Sequence, residues 1–408
     1  MSDPFAFRHP VPRKKCVGPL WAALGAACVL IVAACGTSVS SAKQPLTFAV
    51  IAPLSGVNSL YGTNLKDGVQ LAVNEINRSG GVDGRKITIA YYDTQCTAAG
   101  AATAATDIAS STPRPFVVIG DVCSGATLAA IPILYRAGIA EISGDSSSPL
   151  ITTVVAEHHY TNFARTIPSD GQQAVDMVEY AHYILHANRV AILYSNSDYG
   201  QPMFAAESPE IAKLGMSLVA SAYYTEATTT NFLPQWTRLE AAKPDVVLLD
   251  GDYSELGTAV SQMDRVSFPR VPLILSAGAA DNGYTSVGGS RAVGSLVFSY
   301  YAPNNPVPGN ATFVRKYVAA YHTQPNEQSA HGYGIVQIVV DAIEKYGASA
   351  KTLIAVIKEH TFQTDTGEVG FTKYGDVTHQ AGIIEIGTSS GLAIDVSATK
   401  RMAALLSK

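Results

Sequence analysis

Apolar and polar positions alternate along this chain with two periods. "LTFAVIAPLSG" (46–56) is a short apolar run that enters a polar loop. "KDGVQLAVNEINRSGG" then places Val69, Ala72, Val73 and Ile76 at helical spacing, and Gly80-Gly81 closes it. "KITIAYYD", "PFVVIG" and "IAEIS" read as strands, with the small-residue helix "AGAATAATDIASS" and the helix "GATLAAIPILYRAG" between them. The pattern then restarts. "RVAILYS", "SLVASAYY", "DVVLLD", "VPLILS" and "GSLVFSYY" are strands. "DGQQAVDMVEYAHYIL", "GQPMFAAESPEIAKLG", "PQWTRLEAA" and "ELGTAVSQMDRV" are helices. Strands that are apolar throughout, alternating with helices, predict a mostly parallel sheet covered on both faces. Two such units in series predict an α/β fold of two doubly wound, Rossmann-like lobes.

Residues 312–360 are mostly helical, with amphipathic stretches at 312–322, 331–346 and 350–359. They have too few strands for a third core, so they are expected to pack back on the first unit. "GEVGFTKYGD" and "AGIIEIG" read as a closing strand pair. The chain would then cross between lobes near Thr166, Ala302 and Gln363, forming a hinge about a cleft. The expected division is a signal segment 1–34, a tether 35–45, lobe 1 from 46–165 plus 302–362, lobe 2 from 166–301 plus 363–388, and a tail 389–408.

The N-terminus changes the picture of where this fold works. Arg8, Arg13, Lys14 and Lys15 precede a stretch, Cys16 to Ala34, with no charge. That is the layout of an export signal, and the run is also nearly long enough for an uncleaved anchor. Val32-Ala33-Ala34-Cys35-Gly36 resembles the lipobox of bacterial lipoproteins. The resemblance implies cleavage before Cys35, lipid on its thiol, and a body held outside the cytoplasmic membrane.

The net charge of −5 and the lack of a basic stripe argue against a nucleic-acid partner. Beyond the signal and Cys35, only Cys96 and Cys123 remain. An even pair in an oxidising compartment, without CxxC or a nearby histidine pair, predicts a disulfide; two separate buried thiols are the alternative. Enzyme signatures are missing: no GxSxG elbow leading from a strand into a helix, P-loop, HExxH or GxGxxG after a strand occurs, so no catalytic residue and no cofactor is expected. Glu157-His158-His159 invites a metal reading. Adjacent histidines on an extended segment would point to opposite faces, so no metal is expected there. His331 is expected to be a helix cap or surface residue.

The loops after the strands carry Ser, Gly, Asp and Tyr. Hydroxyls and helix N-termini can hold a carboxylate, aspartates an ammonium group, and tyrosines an apolar surface with a polar tip. A small zwitterion or polar organic ligand fits this chemistry; ordinary turns and caps use the same residues.

From Leu46 to Gly387 the chain resembles the type I periplasmic binding proteins of the leucine/isoleucine/valine-binding class. The resemblance rests on "VIAPLSG...YG", "GVQLAVNEINRSGGVDGRKI", the cysteines of "YYDTQC" and "GDVCSGAT", and "RVAILYSNSDYGQ", in order. It implies two lobes with three crossings, an amino-acid-like ligand, and an ABC permease with its ATPases as partners. It implies ligand contacts at Ser124, at Ser146 and Ser147, and at the aromatic Tyr61 and Tyr199. Asp145 replaces a small residue of the family pattern. Two positions depart further: the family's ammonium-binding acid aligns near Gly278, and its second-lobe tyrosine aligns with Asp252, beside Tyr253. Asp145, Asp252 or Asp281 is expected to replace the missing charge, or the ligand lacks an amine. A ligand sensor acting through a separate membrane partner is the alternative to transport.

Overall fold

The computed structural model describes residues 43–378 and 382–406. The signal, the lipobox and Cys35 lie outside the described residues.

The first half builds a five-stranded parallel sheet. In chain order it runs β1 (Leu46–Ala52), α1 (Ser59–Arg78), β2 (Ile87–Asp93), α2 (Ala98–Ser110), β3 (Val117–Ile119), α3 (Ser124–Ala137), β4 (Glu141–Ser143), α4 (Pro149–Glu157) and β5 (Phe163–Arg165). The strand order is β2-β1-β3-β4-β5. Side chains alternate across β1: Phe48 and Val50 join the core that holds Leu65, Val69 and Val339, whereas Ala49 and Ile51 join Ala101, Ala105 and Ala130. Both faces are therefore dry, which explains why the strand reads as an unbroken apolar run.

The second half follows as α5 (Asp170–Tyr183), β6 (Arg189–Ser195), α6 (Gly200–Lys213), β7 (Ser217–Tyr224), α7 (Leu233–Ala241), β8 (Val246–Asp250), α8 (Tyr253–Ser261), β9 (Leu273–Leu275), α9 (Asn282–Gly288) and β10 (Leu296–Ser299). The chain then adds α10 (Asn310–Tyr321), α11 (Glu327–Tyr346), α12 (Leu353–Glu359), β11 (Phe362–Thr364), β12 (Gly367–Val369), β13 (Ile383–Thr388), β14 (Gly391–Ile394) and α13 (Val396–Leu406). The second sheet is ordered β14-β13-β10-β9-β8-β6-β7, parallel except for β13 and β14. Its strands also alternate: Val247 and Leu249 face Trp236 and Leu256, while Val246 and Leu248 face Met177 and Met203.

Helices α10 to α12 return to the first sheet, as their spacing predicts. Helix α11 lies along α1. The approach is close enough that a Cβ at Gly68 would sit 2.0 Å from the Ser329 carbonyl oxygen, so only glycine fits that crossing. An Asn326/Ser329 capping box starts α11, and Gly347 ends it at φ 67°. The chain passes between the sheets three times: after β5, after β10 and between β12 and β13.

Some expectations fail on long-range pairing. "GEVG" and "AGIIEIG" do not pair with each other. The first forms β12 and pairs with β11; the second forms β13, which adds antiparallel to β10 and β14. The edge of β10 needs covering, and Ile383 and Ile384 are buried against it. Helix α1 starts at Ser59, inside the expected loop, because Tyr61 and Leu65 extend its buried face. Residues 158 and 159 are not extended. His158 is the C-cap of α4 and stacks on Tyr160 at 5.4 Å. Residues 389–406, expected as a tail, carry β14 and α13.

Candidate functional site: the cleft between the sheets

The carboxyl ends of the parallel strands from both sheets meet around one cavity of 420 Å³. This is where open α/β sheets place ligands. Strand β1 leads to Asn58 and Tyr61, β3 to Ser124, β4 to Asp145 and Ser147, β6 to Tyr199, β7 to Glu226, β8 to Asp252, and β9 to Gly278; all line the cavity. Helix α11 adds Glu327 and Gln328.

The first-sheet wall is tied down by its own hydrogen bonds. Ser124 opens α3, and its Oγ accepts from the Ser148 amide at 3.2 Å. Cys123 is the N-cap of α3 but makes no side-chain cap, so the first-turn amides keep their capacity for an acceptor. Cys123 is bonded to Cys96, with Cα atoms 5.5 Å apart, and this disulfide fixes α3 to the loop before α2. The Ser146–Ser148 loop hangs on Arg165, whose Nη1 donates to the carbonyls of Ser146 (3.0 Å) and Ser148 (2.9 Å). Arg165 is fully buried and pairs with Asp376 at 2.7 Å. Asp145 accepts from Gln328 at 3.4 Å and meets His331 Nδ1 at 3.2 Å. Burial works against charge on His331, but Asp145 and Glu327 raise its pKa overall.

The second-sheet wall is acidic. Asp252 accepts from Asn58 Nδ2 at 2.7 Å and from the Tyr61 hydroxyl at 3.5 Å, across the cleft. Burial, then repulsion from Glu226 and Glu255, pushes the Asp252 carboxyl well above its usual range. Burial lifts Glu226 to about 7. The Tyr61 ring meets the Tyr253 ring edge-on at 4.8 Å, and its hydroxyl donates to the Gly278 carbonyl. Tyr199 accepts from the Gly278 amide at 3.0 Å.

Of the residues expected at the site, Tyr61, Ser124, Asp145, Ser147, Tyr199 and Asp252 line the cavity. Ser146, Tyr253 and Asp281 do not. Ser146 Oγ donates to the Asp121 carbonyl at 2.9 Å, and Tyr253 donates to Val57 O at 3.1 Å. Asp281 caps α9 and accepts from Asn64 and Asn326. All three make hydrogen bonds within the fold.

Comparison with known proteins gives the geometry its family. A family profile described as periplasmic binding protein matches residues 45–391. The chain belongs to the periplasmic binding protein family. An amino acid binding protein of Pseudomonas aeruginosa is 26% identical over 337 residues, covering 82% of this chain and 88% of the relative. A Leu/Ile/Val-binding protein homolog of Brucella melitensis is 26% identical over 345 residues, covering 83% and 90%. Among solved structures, a leucine-binding protein of Thermotoga maritima superposes with a TM-score of 0.77 at 23% identity, covering 86% of this chain and 98% of that one. A solute-binding protein of R. palustris in complex with benzoate gives 0.77 at 18% identity, covering 86% and 95%. The family is one of solute-binding proteins, not enzymes. No described helix is long and apolar enough to cross a membrane.

Within this binding protein the departure at Gly278 has a steric cause. A Cβ there would lie 2.4 Å from the Gly251 carbonyl oxygen, so the position holds no acidic side chain. The carboxylates of this wall come instead from Asp252 and from Glu226, which sequence reasoning missed because "YYTEATTT" reads as a polar turn after β7. Glu327 was also missed, and His331 is buried rather than a surface residue. One helical turn apart on α11, both face inward toward Asp145. Asp145, Glu327 and His331 bring ligand atoms within 4.8 Å of one another and could hold a metal ion. Glu327 accepts from the Tyr300 amide at 2.7 Å and His331 Nδ1 meets Asp145, while Asp145 Oδ2 and His331 Nε2 have no hydrogen-bond partner. Cys96, Glu226 and Asp252 also cluster, but Cys96 is in the disulfide and offers no thiolate.

Proposed function

We propose that this protein is a lipid-anchored, extracytoplasmic solute-binding protein. It captures a small polar ligand of the amino-acid type between its lobes and delivers it to an ABC permease with its ATPases. The observation that carries this reading is the 420 Å³ cavity lined by the strand ends of both sheets.

The chain's residues act as a clamp. Ser124, the first-turn amides of α3 and Ser147 offer acceptor-seeking groups to a carboxylate or carbonyl. Tyr61 and Tyr199 flank the ligand with rings whose hydroxyls burial keeps neutral. Asp145 and Asp252 face polar or charged donors. Lobe 1 (46–165 with 302–362) binds first; lobe 2 (166–301 with 363–388) then closes about the three crossings. Closure is favoured only by contacts made in the closed state, because a ligand shifts an equilibrium by its differential affinity. The export signal is removed before Cys35, and the lipid there keeps the loaded protein near the permease.

Thermal stability against a panel of amino acids, amides, amines and aromatic acids tests this. A ligand at about 100 times its dissociation constant adds about 2.7 kcal/mol. A shift confined to one ligand class supports the reading. No shift with any class contradicts it.

A further inference from the structure

Charge in the cleft does not balance. Asp145, Asp198, Glu226, Asp252 and Glu327 line the cavity, and no Lys, Arg or His is among the lining residues. On the first wall His331 stands behind Asp145 and faces Glu327 as well, so one imidazole serves two carboxyl groups. The Asp145 side chain is 6% exposed, and its Oδ2 has no hydrogen-bond partner. On the second wall there is no cation at all: no salt bridge among the described residues involves Asp198, Glu226, Asp252 or Glu255. Asn58 and Tyr61 are the neutral partners that reach Asp252.

Buried acids without counter-charge are costly, and natural interiors pair them or neutralise them. Here Asp252 is buried and Glu226 half-buried, in a cavity open to a small molecule, and Asp198 is exposed at its rim. Resting on the binding-protein reading above, we infer that the cleft takes an organic cation, a small ligand whose ammonium, amidinium or guanidinium group is received by Glu226 and Asp252. The second-lobe acid of this site thus comes from the end of β7, since position 278 admits no side chain. Asp252, itself pushed well above its usual range, shares its proton with the group lifted to about 7, Glu226. The groups facing it are Asp252 by hydrogen bond, with Glu255 and Asp198 by repulsion, all acidic. A cation entering this set releases protons, so affinity rises with pH through about 7.

The test is calorimetric titration of the full chain, purified in detergent, with lysine, putrescine, leucine and benzoate at low ionic strength. Lysine carries both a zwitterion and a side-chain cation, putrescine only cations, leucine only the zwitterion, benzoate only the anion. The expected result is that lysine or putrescine binds at least tenfold tighter than leucine and tighter at pH 8 than at pH 6. Glu226→Gln is expected to remove most of that preference while the variant keeps the wild-type unfolding temperature, which separates charge recognition from loss of fold. Leucine or benzoate binding tighter than either cation would overturn the inference and leave the binding-protein reading standing. If neither cation binds, the inference falls; if leucine and benzoate also fail, the reading falls with it.

Discussion

The two walls of the cleft are built on opposite principles. The first-sheet wall is held by geometry. Arg165 grips the Ser146–Ser148 loop, the Cys96–Cys123 disulfide fixes the start of α3, and one histidine balances part of its acid. The second-sheet wall is held by protons. Glu226 and Asp252 face the cavity, and behind them Asp250 and Glu207 are fully buried without any cationic partner. Burial lifts Asp250 to about 8 and pushes Glu207 well above its usual range. The difference teaches that a rigid wall can present a general acceptor site, while a proton-loaded wall can respond to ligand charge.

Breaking the first wall should have the largest effect. Arg165→Met leaves Asp376 buried in part and frees the Ser146–Ser148 carbonyls. Removing one partner of a buried pair costs about 3–5 kcal/mol. Urea unfolding should show that loss, together with loss of ligand affinity; an unchanged midpoint would contradict the clamp. Opening the disulfide with Cys96→Ser and Cys123→Ser should come next, at about 2–4 kcal/mol. Thermal unfolding of the variant beside the reduced wild type checks it, and the two should agree.

Smaller still is the effect of Ser124→Ala. It removes one hydrogen bond to a charged or polar ligand group, about 1.5–3 kcal/mol where the group is charged. Titration should show weaker binding, and the unfolding temperature should fall by less than for Arg165→Met, because the Ser148 amide also loses its partner on Ser124 Oγ.

The second wall is sharpened by pH. Asp250 holds a proton in the folded state up to about pH 8, whereas an unfolded aspartate loses it near pH 4. Asp170 and Glu226, both lifted to about 7, act the same way. The folded protein binds more protons than the unfolded chain across that window, so unliganded stability should fall as pH rises from about 4 to about 8. The slope is at most about 1.4 kcal/mol per pH unit per group. Unfolding curves at several pH values check the sign, and Asp250→Asn should flatten the slope.

Much of the fold was legible because both sheets use local signals. Apolar strands, glycine caps and helical spacing mark β1 to β4 and β6 to β10, whereas α4 and the three-residue β5 were not read. The pairing of β13 with β10 was not legible, since it joins Ile383 and Ser299 across a long intervening segment. At the cavity, Ser124 and Tyr199 were expected from the resemblance carried by "GDVCSGAT" and "RVAILYSNSDYGQ", and both line it. Glu226 was not, because nothing local separates a solvated turn from a turn that the opposite lobe covers. His331 looked like an ordinary helix-start residue; only the return of α11 to the first sheet buries it beside Asp145.

The central claim is that one ligand bridges both walls. The most direct test is calorimetric titration of the tightest panel ligand into the wild type, Ser124→Ala and Tyr199→Ala, with folding of each checked by unfolding temperature. The account predicts that a substitution on either wall weakens binding by roughly tenfold, as expected for loss of about 1.4 kcal/mol. Wild-type affinity in both variants would place the ligand elsewhere and contradict the account.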